Sequence, residues 1–248
     1  MGYTKHVFIQ NSEASARLNA AILNEQEQGI FDGNLIGMPV DCTSRVAEYT
    51  GDGGGATIKD RAGNGNNLTA TAITYVNGKF CKEMSFNGST GYAQASSPVI
   101  GTTGTIAIRF KLKATTAGDI TTNTSDAVLN GFRLRVGSGG ILNAFIAGSA
   151  SQQNISLGTL GITTYNTVIL SWDGTTVTKT VAGVTTTEAQ TVAMTSALFN
   201  LTIGRMTQGS ANVLNGIISH FRYDSRIWTA DEARAWSLNP ISIDSRVA

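Results

Sequence analysis

Residues 105–113 constrain the fold more than any other stretch. Ile106, Ile108, Phe110 and Leu112 alternate with Ala107, Arg109 and Lys111. A period of two sets one face of a strand against a core and the other against solvent. Phe132, Leu134 and Val136 alternate with Arg133 and Arg135 in the same way. Composition and spacing predict further strands at 82–86, 92–96, 127–136, 141–147, 153–157, 167–172, 177–181, 200–204 and 216–223. Turn signals separate them: Asn87-Gly88, Asn130-Gly131, the glycine-rich 137–140 and Asp173-Gly174. Many short strands with little helix mean an antiparallel sandwich or barrel.

The two ends read differently. Residues 1–45 form an expected N-terminal arm, with a short strand at 3–10. A helix follows from Asn11-Ser12-Glu13, with Ala14, Leu18, Ala21 and Ile22 on one stripe, and Gly29 closes it. Ile30, Phe31, Leu35, Ile36 and Met38 make the rest of the arm apolar. Such a segment either packs on the main domain or docks on another chain. Near the other end, Thr229-Ala230-Asp231-Glu232 is a capping box. Trp228 and Ala233 are placed to form a hydrophobic staple, and Pro240 is placed to stop the helix. The main domain is expected to span 46–248.

Charge narrows the function classes. Only 14% of the 248 residues are charged and the net charge is +1. Thr, Ser, Asn and Gly take up the difference, a composition that suits exposed strands and turns. No Lys/Arg stripe is present to neutralise phosphates, so nucleic acid is not an expected partner. No apolar run approaches the ~20 residues of a membrane span. The first ten residues have no apolar signal core, so no secretory signal is expected. Cys42 and Cys81 do not amount to a disulfide framework, and whether they pair is left open. His6 and His220, with two cysteines, are too few and too scattered for a transition-metal site.

The pieces in order resemble a known family. The stretch 58–69 carries Asp60 ahead of Gly63-Asn64-Gly65-Asn66-Asn67. It is followed by Tyr75-Val76-Asn77-Gly78-Lys79-Phe80, then Met84-Ser85-Phe86-Asn87-Gly88-Ser89, then Gly91-Tyr92. Further on come Val168-Ile169-Leu170-Ser171-Trp172-Asp173-Gly174, Val181-Ala182-Gly183, Leu201-Thr202-Ile203-Gly204, Asn215-Gly216-Ile217-Ile218 and Arg222-Tyr223-Asp224-Ser225-Arg226. Over about 46–240 this is similar to the laminin-G-like domains of the concanavalin A-like lectin/glucanase superfamily. Cys81 and Ala62 depart from that pattern, where a glycine and a serine are usual. The resemblance implies a jelly-roll antiparallel β-sandwich with a short closing helix. It also implies a calcium ion as the one cofactor to consider, though none is required. Asp60, Asn64 and Asn66 are the candidate oxygen ligands, and a loop bonded to itself is the alternative.

Catalysis is not expected. Glycoside hydrolysis needs two carboxyl groups facing each other, ~5–10 Å apart. Glu25 and Glu27 lie on the arm helix and Asp231 and Glu232 cap a helix. Asp119, Asp173, Glu188 and Asp224 read as isolated acids at turns. No nucleophile elbow accompanies the two histidines. Trp172 reads as a core anchor, with ligand stacking as the alternative. The expected function is therefore structural or binding. The resemblance, taken with the apolar arm and the missing export signal, implies a bacteriophage virion component (head decoration, fibre or tail), docked on other virion proteins through the arm, homo-oligomeric, and binding a host-surface glycan. A bacterial extracellular carbohydrate-binding or adhesion module is the alternative, and a glycoside hydrolase stands last. Asn, Thr and Tyr side chains on loops at one rim of the sandwich would supply the hydrogen bonds.

Overall fold

The computed structural model describes residues 44–52, 54–78, 82–95, 100–122, 131–148, 151–194, 200–206 and 212–238. The expected arm strand and helix, His6, Cys42, Cys81, Pro240 and residues 127–130 of one expected strand lie outside that set.

Two antiparallel sheets of eight strands face each other. The first contains β1 (Arg45–Thr50), β4 (Thr74–Asn77), β5 (Lys82–Asn87), β7 (Gly104–Leu112), β12 (Tyr165–Trp172), β13 (Thr176–Val181), β14 (Val184–Ala189) and β16 (Asn215–Asp224). Its order is β14-β13-β12-β7-β16-β5-β4, with β1 also paired to β16. The second contains β2 (Thr57–Ile58), β3 (Leu68–Thr71), β6 (Tyr92–Ala95), β8 (Gly118–Thr122), β9 (Gly131–Val136), β10 (Ile141–Ala147), β11 (Gln152–Thr159) and β15 (Leu201–Ile203). Its order is β11-β10-β9-β8-β15-β6-β3-β2. One helix, α1 (Ala230–Leu238), follows the last strand. This is the expected all-β jelly-roll sandwich with a short C-terminal helix. No helix among the described residues is long and apolar enough to cross a membrane.

The predicted alternation fixes which side of each strand is inside. Ile106, Ile108, Phe110 and Leu112 of β7 are buried between the sheets, as are Phe132, Leu134 and Val136 of β9. Trp172 is wholly buried and joins the two layers. Its ring stacks on Tyr223 of its own sheet at 6.2 Å and on Phe132 of the other at 5.9 Å. Its indole N–H donates to the Gly101 carbonyl at 3.1 Å. Trp172 is thus a core anchor, not a ligand platform.

Several strands carry no period-two apolar signal and were not expected: β1, β2, β3, β4, β8 and β14. β14 is Val-Thr-Thr-Thr-Glu-Ala and largely exposed. It is held by hydroxyl pairs, Thr178 to Thr187 at 3.1 Å and Thr180 to Thr185 at 2.8 Å. As a result, three acids expected at turns lie in strands: Asp119 in β8, Glu188 in β14 and Asp224 in β16. Each faces a cation: Arg133, Lys179 and Arg222 respectively. Asp173 does sit at a turn. There the Thr175 hydroxyl, then the Thr176 and Thr175 N–H groups, hold its carboxyl far below the usual range.

Candidate functional site

Asp60, Asn64 and Asn66 come together in one loop, and their contacts show what the loop does. Asp60 Oδ1 accepts the N–H of Glu48 at 3.0 Å and of Ala62 at 2.9 Å. Its Oδ2 accepts the N–H of Asn66 at 3.2 Å. Gly63 and Gly65, at φ +79° and +78°, let the chain turn back tightly enough to present those amides. Asn64 Nδ2 donates to the carbonyls of Arg45 and Val46, and Asn66 Nδ2 donates to Val46 as well. The Tyr49 hydroxyl donates to the Asn66 carbonyl at 2.6 Å. Burial, then the nearby Asp60 charge, pushes that phenol well above its usual range. The carboxylate thus faces N–H donors, and the two Asn residues direct N–H groups inward. Calcium requires converging oxygens, so the arrangement does not fit the ion. The loop is a clasp that ties residues 60–67 to β1.

The helix region covers part of the outer face of the first sheet. Trp228, Ala233 and Trp236 of the α1 region pack on Ala107 of β7 and Ile169 of β12. Beside them, β16 presents His220, Arg222 and Asp224, all buried. Arg222 grips Asp224 with Nε and Nη2, the latter at 2.8 Å, and its guanidinium lies 5.0 Å from the Trp228 ring. The Trp228 indole N–H donates to the same carboxylate. His220 is buried and engaged on two sides. Its Nε2 lies 2.7 Å from Glu48, which also pairs with Arg45, and its ring meets Trp236 edge-on. Each acid here is engaged and covered by protein, unlike the open carboxylates that hydrolysis needs.

Among the described residues no helix packs on the outer face of the second sheet. Strand register places one row of side chains across it: Asn154, Phe145, Arg133, Thr122, Thr202, Gln94 and Thr69. Every member but Phe145 is polar. The face is outward because the residues between them (Leu134, Leu201, Ile203, Ala93, Ala95 and Leu68) are core. A second row holds Ser156, Asn143, Arg135 and Asp119, with Tyr92 and Thr71 paired on the far side. Asp119 is fully buried and clamps Arg133 through both oxygens, at 2.6 and 3.0 Å. The Thr202 hydroxyl is buried and has no hydrogen-bond partner.

A groove of about 270 Å³ opens at the β3–β6–β15 end of this face, lined by Asn67, Thr69, Thr71, Tyr92, Gln94 and Asn200. All six side chains are uncharged, exposed or half-buried, and five of them carry an amide or aliphatic hydroxyl. Tyr92 adds an aromatic ring with a polar tip. Amides and hydroxyls both donate and accept, which suits a ligand covered in hydroxyl groups. No acid, histidine or cysteine lines this groove, nor the second cavity of about 240 Å³ beside α1. Among the described residues no group of three His, Cys, Asp or Glu is placed to hold a metal. Thr69, Thr71, Tyr92 and Gln94 of this groove stand on β3 and β6, and Asn67 and Asn200 on the adjoining loops. Thr69, Thr71 and Gln94 become neighbours only through the pairing of β3 with β6, across strands the sequence left partly unmarked.

No protein-family model matches the chain, and no curated protein matches it in sequence. Solved structures match it in fold. The binding domain of Paraclostridial Mosquitocidal Protein 1 superposes with a TM-score of 0.66 at 12% identity, over 79% of this chain and 52% of that one. Domain 4 of AbnA, a GH43 extracellular arabinanase from Geobacillus stearothermophilus in complex with arabinotriose, gives 0.64 at 16%, over 78% and 98%. Trypanosoma rangeli sialidase in complex with sialic acid gives 0.66 at 13%, over 82% and 34%. The chain therefore spans about half of the first of these proteins and a third of the last, and nearly all of the isolated arabinanase domain. At these identities the likeness is one of architecture: the chain is a two-layer antiparallel β-sandwich similar in fold to parts of these structures.

Proposed function

We propose that this chain is a non-catalytic saccharide-binding module and that the groove between Thr69, Tyr92 and Gln94 takes the sugar. The observation that carries the reading is the lining of that groove, uncharged amides and hydroxyls on rigid strands beside one aromatic ring. Rigid strands position polar groups more exactly than loops do, and Tyr rings suit the apolar face of a pyranose. The arabinotriose complex of a domain with this fold supports the reading by analogy of architecture.

The test is a glycan array of neutral and acidic oligosaccharides, arabinotriose included, followed by calorimetry on the hits. Gln94→Ala and the pair Thr69→Val with Thr71→Val should each weaken binding by roughly five- to tenfold, since a hydrogen bond contributes about 1 kcal/mol net. Binding that survives all three substitutions, or no binding to any glycan, overturns the proposal. Release of reducing ends from a bound oligosaccharide would overturn its non-catalytic part.

The same proposal puts the module on the exterior of a bacteriophage virion, as a head-decoration, fibre or tail protein, with residues 1–45 docking on neighbouring virion proteins and like copies assembling together. The low charge content and the apolar run around Ile30–Met38 support this. Light scattering on the full chain and on a chain lacking residues 1–43 tests it. The full chain should oligomerise, and the shorter one should remain folded and become monomeric. A full-length monomer overturns the assembly part. Purification of the protein with cell envelopes rather than with virions would favour the bacterial adhesion alternative.

A further inference from the structure

We infer that the saccharide taken by this groove is acidic, carrying a carboxylate or a sulfate that pairs with Arg205. The inference rests on the reading of the groove as a sugar site and adds the charge of its ligand.

Arg205 follows β15 by two residues, and its guanidinium carbon sits 3.3 Å from the centre of the Tyr92 ring. Tyr92 is therefore both a wall of the groove and the platform under a cation. Stacking engages the face of the guanidinium rather than its in-plane N–H groups, and such groups can grip a carboxylate or sulfate with two parallel bonds. Among the described residues no carboxylate pairs with it. Arg205 makes no ion pair, and its buried Nε–H has no hydrogen-bond partner. Every other strand-face arginine of this sheet is accounted for differently. Arg133 is neutralised by Asp119, and Arg135 reaches only the neutral Asn212 side chain, at 3.3 Å, with its own Nε–H also unpartnered. The groove itself contributes no negative charge. Among the described residues Arg205 is thus a cation without a counter-charge beside a groove built for hydroxyl groups, and an anionic sugar supplies the missing charge.

The two sources of such a charge are a uronic-type carboxylate and a sulfate ester, and matched probes separate them. One pair is trigalacturonate and its methyl ester. The other is a sulfated keratan hexasaccharide, which has no uronate, and its desulfated, neutral form. Each is titrated into the full chain at low and at physiological salt, with arabinotriose as neutral control. In at least one pair the acidic member should bind roughly tenfold tighter than its neutral twin, and salt should narrow the gap. Arg205→Gln should abolish the gap and leave affinity for the neutral twin within about twofold. Arg205→Lys keeps the charge and should keep part of the preference, which decides the matter if the Gln variant is unstable. Equal binding of both twins, or a preference untouched in Arg205→Gln, overturns the acidic ligand and leaves the saccharide site standing. Absence of binding by all five probes overturns both.

Discussion

The Asp60 carboxylate accepts the backbone N–H of Glu48 at 3.0 Å, fastening a glycine-rich loop to the strand that opens the sandwich. The same side chain takes the N–H groups of Ala62 and Asn66. Asp60→Ala leaves three donors without their acceptor and should cost about 2–3 kcal/mol by urea unfolding, since hydrogen bonds to a charged group are worth roughly 1.5–3 kcal/mol. Because those donors occupy the places that cation ligands would need, calcium at millimolar concentration, or its removal by EDTA, should leave the melting temperature of the unaltered chain unchanged. A rise of several degrees with calcium would show that the loop rearranges into an ion site.

The helix cap gives a prediction in pH. Thr229 N–H donates to Glu232 at 2.8 Å, and Glu232 N–H donates back to the Thr229 hydroxyl at 3.2 Å. Burial raises the Glu232 carboxyl, but the Arg226 guanidinium and the Thr229 N–H outweigh it and hold the group below its usual value. A depressed folded value means a contribution fully present above the ordinary carboxylate range, ~4, and lost as pH falls through the depressed value. The urea midpoints of the unaltered chain and Glu232→Gln should therefore differ at pH 7 and converge toward pH 3. Thr229→Ala should cost about 1 kcal/mol.

How much of this was legible in the sequence depends on what each residue type advertises. β7 and β9 could be read because large apolar side chains alternate with Arg and Lys. β8 (Gly-Asp-Ile-Thr-Thr) and β14 (Val-Thr-Thr-Thr-Glu-Ala) could not, because each has a single large apolar residue and runs of Thr, whose β-branching suits a strand but whose polarity hides its period. The cap at Thr229 was legible because a capping box is local. The role of His220 was not, since its partner Glu48 is 172 residues away. The Asp60 loop was found correctly as a cluster, but its chemistry turns on which way two amide groups face. The groove escaped for the same reason as β8: Thr69, Thr71 and Gln94 carry no motif, and only the register of β3 on β6 makes them one surface.

The buried acids of the first sheet should behave as structure. Asp224 is fully buried between Arg222 and the Trp228 indole. Asp224→Ala strands the Arg222 charge beneath the helix region, and breaking a buried pair typically costs ~3–5 kcal/mol. Unfolding in urea would register the loss. Binding of any saccharide by the material that remains folded should be unaltered, because the pair lies on the sheet opposite the groove. A change in affinity without a change in stability would place a functional group on the wrong sheet.

Gly204 links the core to the groove, and substituting it tests that link. It sits at φ +91°, bonded by its N–H to the Ile120 carbonyl at 2.9 Å and by its carbonyl to the Leu214 N–H at 2.7 Å. A Cβ there would stand 2.3 Å from the Phe86 ring, inside the sandwich. Ala carries a penalty of roughly 1–2 kcal/mol in this backbone region, and overpacking a filled core adds ~1–3 kcal/mol. Gly204→Ala should thus lose about 3 kcal/mol of stability. The backbone can relieve the clash only by moving away from Phe86, and the next residue along it is Arg205, stacked on Tyr92. The stack should loosen with it, so affinity for an acidic saccharide falls more than affinity for its neutral twin. Combining Gly204→Ala with Phe86→Leu removes ring atoms from the clash and should restore part of both stability and preference. If the double substitution recovers stability but not the preference, the groove depends on the glycine's backbone angle rather than on its packing against Phe86.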